Sequence, residues 1–499
     1  MCRKCDSYQG HHQAIKAHRN FKINLINLIM RENIGLVWLK DDFRLKKNLA
    51  LIEATKKHDK VVVFFLLKKK KFENQEAQKW WICKSLEEFK KKLVNYNINL
   101  EVITTDSYKS FFQKLFEKKN FSVYWNKTYE PNYIKFDQYL SKNLQIKNIA
   151  FKIYKGNILN EFHEVKKNDG TPFKVFTPFW RAAEKIYVEK IPPKYKTISK
   201  CKKRVSFFKN TVDIIKVYPK KNWFKKFEKY WSPSEENALK ELKKFINNRI
   251  KEYSHMRNFP SILGTSKLSP FIKHGQIHVE TIWEECIKLN RYGVNKFLAE
   301  IGWREFNHSL INFFPHMLSG NYSKKFNNFP WQKNSEFLNA WKRGITGYPI
   351  VDAGMRELQS TGWMHNRVRM IVGSFLVKNL QIDWREGESW FWDCLFDASP
   401  ASNPASWQWV SGTGTDSAPY FRIFNPITQA KKFDSEGVYI KEYLPELKNL
   451  PIKYLFCPWE TPIEVQKKIN FFLGKDYPYP LVDIKESRQQ ALEAFSSIK

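Results

Sequence analysis

No run of apolar residues in this 499-residue chain approaches the ~20 that a membrane-spanning helix needs. Stretches such as Val61 to Leu67 fall far short, so no transmembrane helix is expected. Cysteine is scarce and unpaired in number: Cys2, Cys5, Cys83, Cys201, Cys286, Cys394 and Cys457 make seven. An odd, mostly scattered set in a large chain argues against a disulfide framework and for a reducing compartment. Acidic residues are also in deficit, 50 Asp plus Glu against 85 Lys plus Arg, a formal net charge of +35. That surplus favours a polyanionic partner such as DNA or RNA. Lys, Asn, Ile and Phe are abundant along the whole chain, however, and part of the surplus reads equally as compositional drift that solvates the surface. No internal repeat of fixed period occurs.

The length predicts two domains. Before them, Cys2 and Cys5 form a CxxC followed by His11 and His12, a weak zinc pattern in a basic segment whose one acid before Glu32 is Asp6. Met30 stands just ahead of the first strand-like run. Residues 1–31 are therefore set apart as an extension, with 1–29 read as a mis-called start or a disordered or targeting segment rather than a metal site.

From residue 34 short β-branched runs alternate with amphipathic ones. Gly35 to Leu39, Val61 to Leu67, Leu100 to Thr104 and Ser122 to Trp125 read as strands; Leu49 to Lys57, Trp80 to Tyr96 and Tyr108 to Lys119 carry apolar residues at helical spacing. Such alternation predicts βαβ units and a parallel, Rossmann-like α/β domain over 32–160. Pro, Lys and aromatic residues without a period, as in Ile191-Pro192-Pro193 and Val217 to Lys221, predict a connection over 161–230. After Trp231 the chain reads as an all-helical domain, 231–499.

Four segments of that domain carry chemistry. In Thr265-Ser266-Lys267-Leu268-Ser269-Pro270, hydroxyls and backbone N–H groups gather before a helix with Ser269 as N-cap and Pro270 at its first position. Such a start suits phosphate, or serves only as a cap. Within the helix Phe297 to Phe313, Glu300, Trp303, Arg304 and Asn307 share one stripe. That stripe can hydrogen-bond and stack on a flat ring, or hold an internal ion pair beside a core tryptophan. In Gly362 to Met370, which opens a helix running to Leu380, Asn366, Arg369, Met370 and Gly373 share a face and Arg367 swings off it toward a phosphate or a surface salt bridge. The fourth is a polar loop, Asp397-Ala398-Ser399 to Asn403, running into Trp407 and Trp409.

Order and spacing together resemble the photolyase and cryptochrome family, specifically class I cyclobutane pyrimidine dimer photolyases. The matching strings are Trp38 to Leu45, Thr265 to Ser269, Trp303-Arg304-Glu305-Phe306, Gly347 to Asp352, Trp363 to Met370 and Trp407 through Pro426. They cover the chain from about residue 34 to its end. The resemblance implies an α/β antenna domain and a helical domain holding FAD. It assigns Tyr253, Thr265, Ser266, Lys267, Leu268, Ser269, Asn366, Arg369, Asp397, Ala398, Ser399 and Asn403 to the flavin, with Asn403 near N5. It places Arg257, Glu300, Trp303, Arg304, Asn307, Asn366, Arg367, Met370 and Trp409 at the damaged DNA. Trp407, Trp384 and Trp331 match the family's electron-hopping tryptophans, which composition alone reads as core packing. The implied reaction is light-driven repair, by electron transfer from excited reduced FAD, of cyclobutane pyrimidine dimers.

Departures from the family pattern are Asn258 after Arg257, where Asp is usual, and Ser399, where many members carry a second acid. At the antenna site Asn132 fits a folate type, Tyr133 replaces its usual Glu, and no matching His occurs from Lys68 to Ala77. The second chromophore, folate or deazaflavin, is left open. A cryptochrome-like sensor is the alternative; signalling members carry a long tail, whereas this chain stops soon after Leu481-Val482-Asp483. A (6-4) enzyme would carry a His pair near the lesion, where this chain has Met364-His365-Asn366-Arg367. A cofactor-free basic nucleic-acid-binding protein would leave the flavin segments without a purpose. A cytoplasmic monomer of bacterial type, without resident metal, is expected, with an organellar role for residues 1–29 left open.

Overall fold

β-Branched and aromatic runs too short for helices pair most readily as buried parallel strands when both faces are covered. In the computed structural model, which describes residues 33–68, 75–190, 195–219, 222–289 and 293–498, they form a five-stranded parallel sheet of order β3-β2-β1-β4-β5. The strands are β1 (Ile34–Leu39), β2 (Lys60–Lys68), β3 (Asn99–Thr105), β4 (Phe121–Asn126) and β5 (Phe151–Tyr154). Val37 lies opposite Val63 on one side and Tyr124 on the other, which sets the register of the centre. β5 escaped the sequence reading because Phe151-Lys152-Ile153-Tyr154 is a four-residue, half-buried edge.

The helix Leu49–Lys57 has its expected bounds; Glu76–Val94 starts earlier than expected and Tyr108–Leu115 ends earlier. Three of the four returns from helix to strand pass through an asparagine in the left-handed region, Asn97 (φ 57°), Asn120 (φ 64°) and Asn148 (φ 53°); the first, after Lys57, leaves through His58 in an extended conformation. Asn tolerates that conformation better than other residues with a side chain, so it does here what glycine usually does. The 1–31 extension, with Cys2, Cys5, His11 and His12, lies outside the described residues. The five cysteines that are described are free and buried.

The stretch expected as a connection is not bare linker. It contains the helix Phe176–Glu189, whose Phe179, Trp180, Ala183 and Tyr187 join the helical core beside Phe297, Ile301 and Phe306. These residues do recur at helical spacing; the Pro- and Lys-rich segment after 190 masked them. Residues 195–217 then cross back over the edge of the sheet. Val212 N–H bonds Val102 O at 2.8 Å, and Phe207 and Phe208 N–H both donate to the Glu101 carboxylate, at 3.1 and 2.9 Å. Polar groups of edge strand β3 are thereby covered, as edge strands require.

Among the described residues no strand follows Tyr154, and the remainder is helical. Trp80 and Trp81 carry the α/β domain into the helical core against Phe271, Trp231 and Phe396, and Trp81 Nε1 donates to Gln276 at 3.0 Å. The Phe176–Glu189 helix meets the helix Gly293–Phe313 at Gly302, where an added Cβ would sit 2.3 Å from the Trp180 ring. Alanine at 302 would gain up to about 1 kcal/mol of helix propensity. Overpacking a buried ring costs more, about 1–3 kcal/mol. Gly302→Ala should therefore lower the melting temperature, measured by circular dichroism, and an unchanged or raised value would contradict this packing.

Candidate active site

Four polar segments converge where the Gly293–Phe313 helix, the helix Asn366–Ser374 and the helix Ser402–Ser411 face one another. They enclose two chambers of about 330 and 340 Å³ that share Glu300, Trp303, Asn307, Asn366, Arg369, Asp397, Ser402 and Ser406 in their walls. The first is also lined by Tyr253 and Thr265 to Ser269, and reaches Asp41, Lys127 and Glu130 of the α/β domain. The second is also lined by Arg257, Met370, Asn403, Trp407 and Trp409.

The hydroxyl segment is held from both ends. Arg249 donates to Thr265 O at 2.9 Å, and Ser269 Oγ donates to Asp397 at 2.6 Å. One expectation is corrected: Leu268, not Ser269, occupies the N-cap, because the Asp397 carboxylate takes the Ser269 hydroxyl. The helix that follows, Ser269–Lys273, has five residues, too few for a substantial dipole. Attraction for an anion here rests on Lys267 and Arg369 and on the hydroxyls.

Glu300, Trp303, Arg304 and Asn307 all open into the cleft, as their stripe predicts. Glu300 pairs with Arg257. Arg304 lines the first chamber and is bound to Glu305 at 2.9 Å, whose carboxylate also accepts from Leu159 N at 2.8 Å. Burial pushes the Glu305 carboxyl up against the opposing pull of Arg304; by its contact, Arg304 of the stripe holds an internal pair with a neighbour outside the stripe.

Asn366, Arg369, Met370 and Gly373 share one wall, and Arg367 points off it onto the Phe433 ring and Asn258 Oδ1, the latter at 2.6 Å. Asn258, where the family usually has an acid, thus holds Arg367 with a neutral acceptor. Arg369 grips Asp397 with a two-pronged bond, Nη1–Oδ1 3.0 Å and Nη2–Oδ2 2.9 Å. Its helix was expected to run on to Leu380; it widens after Ser374 into a π turn, Phe375–Asn379. Ser399 accepts from Ser402 N at 3.0 Å at the start of the Ser402–Ser411 helix, and Ala398 is buried in the second chamber.

Trp407 is buried between that chamber and Gly387. Trp384 is also buried, its Nε1 bound to Asn321 at 2.8 Å, and Trp331 is partly buried beside Phe329. At the antenna position Tyr133 shares a 2.9 Å hydroxyl bond with Tyr108; residues 69–74, within the segment searched for a histidine, lie outside the described residues.

A solved structure described as a bacterial class III photolyase from Agrobacterium tumefaciens superposes with a TM-score of 0.87 at 37% identity, covering 93% of this chain and 98% of the other. A deoxyribodipyrimidine photo-lyase of Agrobacterium fabrum is 39% identical over 93% of this chain and 98% of its own. The family model described as DNA photolyase matches residues 35–196, and that of the FAD binding domain of DNA photolyase matches 297–497. The chain belongs to the DNA photolyase family. A Synechocystis cryptochrome structure also superposes, with a TM-score of 0.84 at 27% identity over 92% of this chain and 99% of the other.

FAD, the cofactor of this photolyase family, fits the donor set. Hydroxyls and the Lys267 ammonium at one end suit a diphosphate, and Asn403, Phe391 and Trp407 at the other suit a flat ring. Sequence reasoning missed Glu388. Asn403, assigned to the flavin, donates its amide to Glu388 Oε1 at 2.7 Å and Glu388 O at 3.0 Å. An acid within the helix Trp384–Cys394 carries no motif that would single it out. Burial raises the Glu388 carboxyl to about 7, against the Asn403 bond that lowers it. Because the folded value lies above the ordinary 4.5, this group's stabilisation is complete below that value and is lost as pH rises through about 7. Glu388→Gln should flatten the fall in melting temperature between pH 5 and 8, and an identical slope in the variant would show that another group titrates there.

Proposed function

We infer that the chain is a deoxyribodipyrimidine photolyase that splits cyclobutane pyrimidine dimers in DNA under light. The observation that carries this reading is the second chamber. Glu300, Trp303, Met370 and Trp409 surround a space large enough for stacked bases, walled by Asn403 and Trp407 on the flavin side and with Arg257 and Lys296 among its lining residues. Bound FAD would supply the light absorption and the electron that opens the cyclobutane ring, and would take that electron back, leaving no net redox change. The chain's residues do the rest. Trp303 and Trp409 offer flat faces to bases drawn out of the duplex. Glu300 offers an acceptor to a thymine imide N–H through the carboxylate oxygen that Arg257 does not take, and Arg257 offers its remaining N–H groups to a backbone phosphate. Arg367 supplies a second phosphate contact, and Asn366 and Asn307 add polar groups at the base edges.

Support comes from the relatives named as photo-lyases over nearly the whole chain, and from the basic surplus, which suits a duplex backbone. The motif strings favour class I, whereas the structure at 37% identity is described as class III; the substrate proposal rests on the site residues and stands apart from that division. No helix among the described residues is long and apolar enough to cross a membrane. Cytoplasmic location, a monomeric state, the 32–160 and 231–499 domain bounds, and a second chromophore of folate or deazaflavin type belong to the same proposal.

Reduced protein under blue light is expected to restore an oligonucleotide carrying a cyclobutane thymine dimer and to leave one carrying a (6-4) product untouched; in the dark both should stay unchanged. A flavin-containing protein without repair would favour the light-sensor alternative. Glu300→Ala should cut repair yield about tenfold or more, the scale of a lost hydrogen bond to a developing charge, with FAD content unchanged. An equal fall in both would make Glu300 structural. Trp407→Phe should slow photoreduction of the oxidised flavin while pre-reduced enzyme repairs normally; unchanged photoreduction would remove Trp407 from the electron route.

A further inference from the structure

Trp303 is braced from behind. The Phe176 ring lies parallel to it, centroids 3.9 Å apart and planes within 7°. Trp303 lines both chambers and Phe176 lines neither, so the stack covers the indole face turned away from the cleft. Phe176 also packs edge-on against Phe306, at 6.0 Å, one turn further along the Trp303 helix.

The brace is itself fixed at two points. The close approach at Gly302 sets how near the Phe176–Glu189 helix lies to the helix bearing Trp303. The Phe176 N–H, one of the donors left open at any helix start, is taken by Asp416 Oδ2 at 2.9 Å. Asp416 stands in the left-handed region, φ 44°, a conformation that side chains other than Asn and Asp rarely adopt. Its loop is tied to the helix bearing the other aromatic wall: Ala418 N bonds Trp409 O at 3.3 Å, and Gly414 N bonds Gln408 O at 3.1 Å.

We propose that Phe176, tethered by Asp416, is a positioning residue that fixes the plane of Trp303 and its separation from Trp409, so that two damaged bases meet a slot of preset width. An indole with both faces free would turn about its side-chain bonds, and binding would bear the cost of ordering it. With one face already stacked, the other is presented ready for a base. This inference rests on the reading of Trp303 as a base-stacking wall.

The test uses the full chain with flavin bound. Phe176→Leu keeps apolar volume and loses the flat face; Phe176→Ala loses both. Each is expected to weaken binding of a thymine-dimer oligonucleotide roughly three- to tenfold, the worth of one aromatic pair. Binding of the undamaged oligonucleotide, the flavin absorption spectrum and the melting temperature of the leucine variant should hold, and Phe176→Tyr should restore lesion binding. Equal losses for damaged and undamaged DNA, or no rescue by tyrosine, would make Phe176 merely structural. Trp303→Ala separates the two claims. If it removes the preference for damaged DNA while Phe176→Leu leaves it intact, the positioning role is wrong and the repair reading stands. If it leaves the preference intact, the base-stacking reading fails and the inference falls with it.

Discussion

The fork between Arg369 and Asp397 is the joint on which the site depends. Arg369 comes from the first turn of the Asn366–Ser374 helix and Asp397 from the loop after the Trp384–Cys394 helix; Ser269, more than a hundred residues earlier, adds its hydroxyl to the same carboxylate. Three segments that look unrelated along the chain are thus one hydrogen-bonded object. The Asp397 side chain is only 6% exposed, and removing Arg369 would leave a buried charge without its partner, a change that typically costs about 3–5 kcal/mol. The fork also shapes the field in the cleft. Arg369 is already paired with the Asp397 carboxylate, so Lys267 carries the less compensated positive charge beside the hydroxyl segment.

Around that joint, helix spacing does the geometric work. Gly302 allows the Phe176–Glu189 helix to press against the Gly293–Phe313 helix, and Gly387 allows Trp407 to sit against the Trp384–Cys394 helix, where a Cβ would lie 2.2 Å from its ring. In both places a missing side chain, rather than an added one, sets where a tryptophan lies relative to the cleft. Interiors packed to crystal-like density transmit such small differences in distance.

Periodicity made most of the architecture readable. The central strands and the Leu49–Lys57 helix have strong apolar patterns and sit where those patterns put them; β5 was missed because a four-residue edge strand has almost no pattern to detect. The wall residues of the cleft were readable because a helix stripe converts spacing into direction, as Glu300, Trp303, Arg304 and Asn307 show. What spacing could not convey is pairing across the fold. That Arg304 would turn to Glu305, that Asp397 would claim the Ser269 hydroxyl, and that Glu388 would stand behind Asn403 depend on elements meeting from distant parts of the chain. Glu388 and Phe176 belong to no local motif of acids or ring-binders. Each gains its place from a neighbour's geometry.

The strap of residues 195–217 across β3 has a consequence for how such a chain can be cut and recombined. Its bonds to Val102 and Glu101 join positions more than a hundred residues apart. A fragment ending at residue 160 would keep the whole sheet yet bare the flank of a seven-residue strand, the kind of surface that recruits other strands and aggregates. A piece ending beyond Val217 would carry its own cover. A crossover past the strap would keep that cover yet part the Phe176–Glu189 helix from the Gly293–Phe313 helix it packs against, so the segment after the sheet is bound to both halves and recombination between relatives has to match it to each.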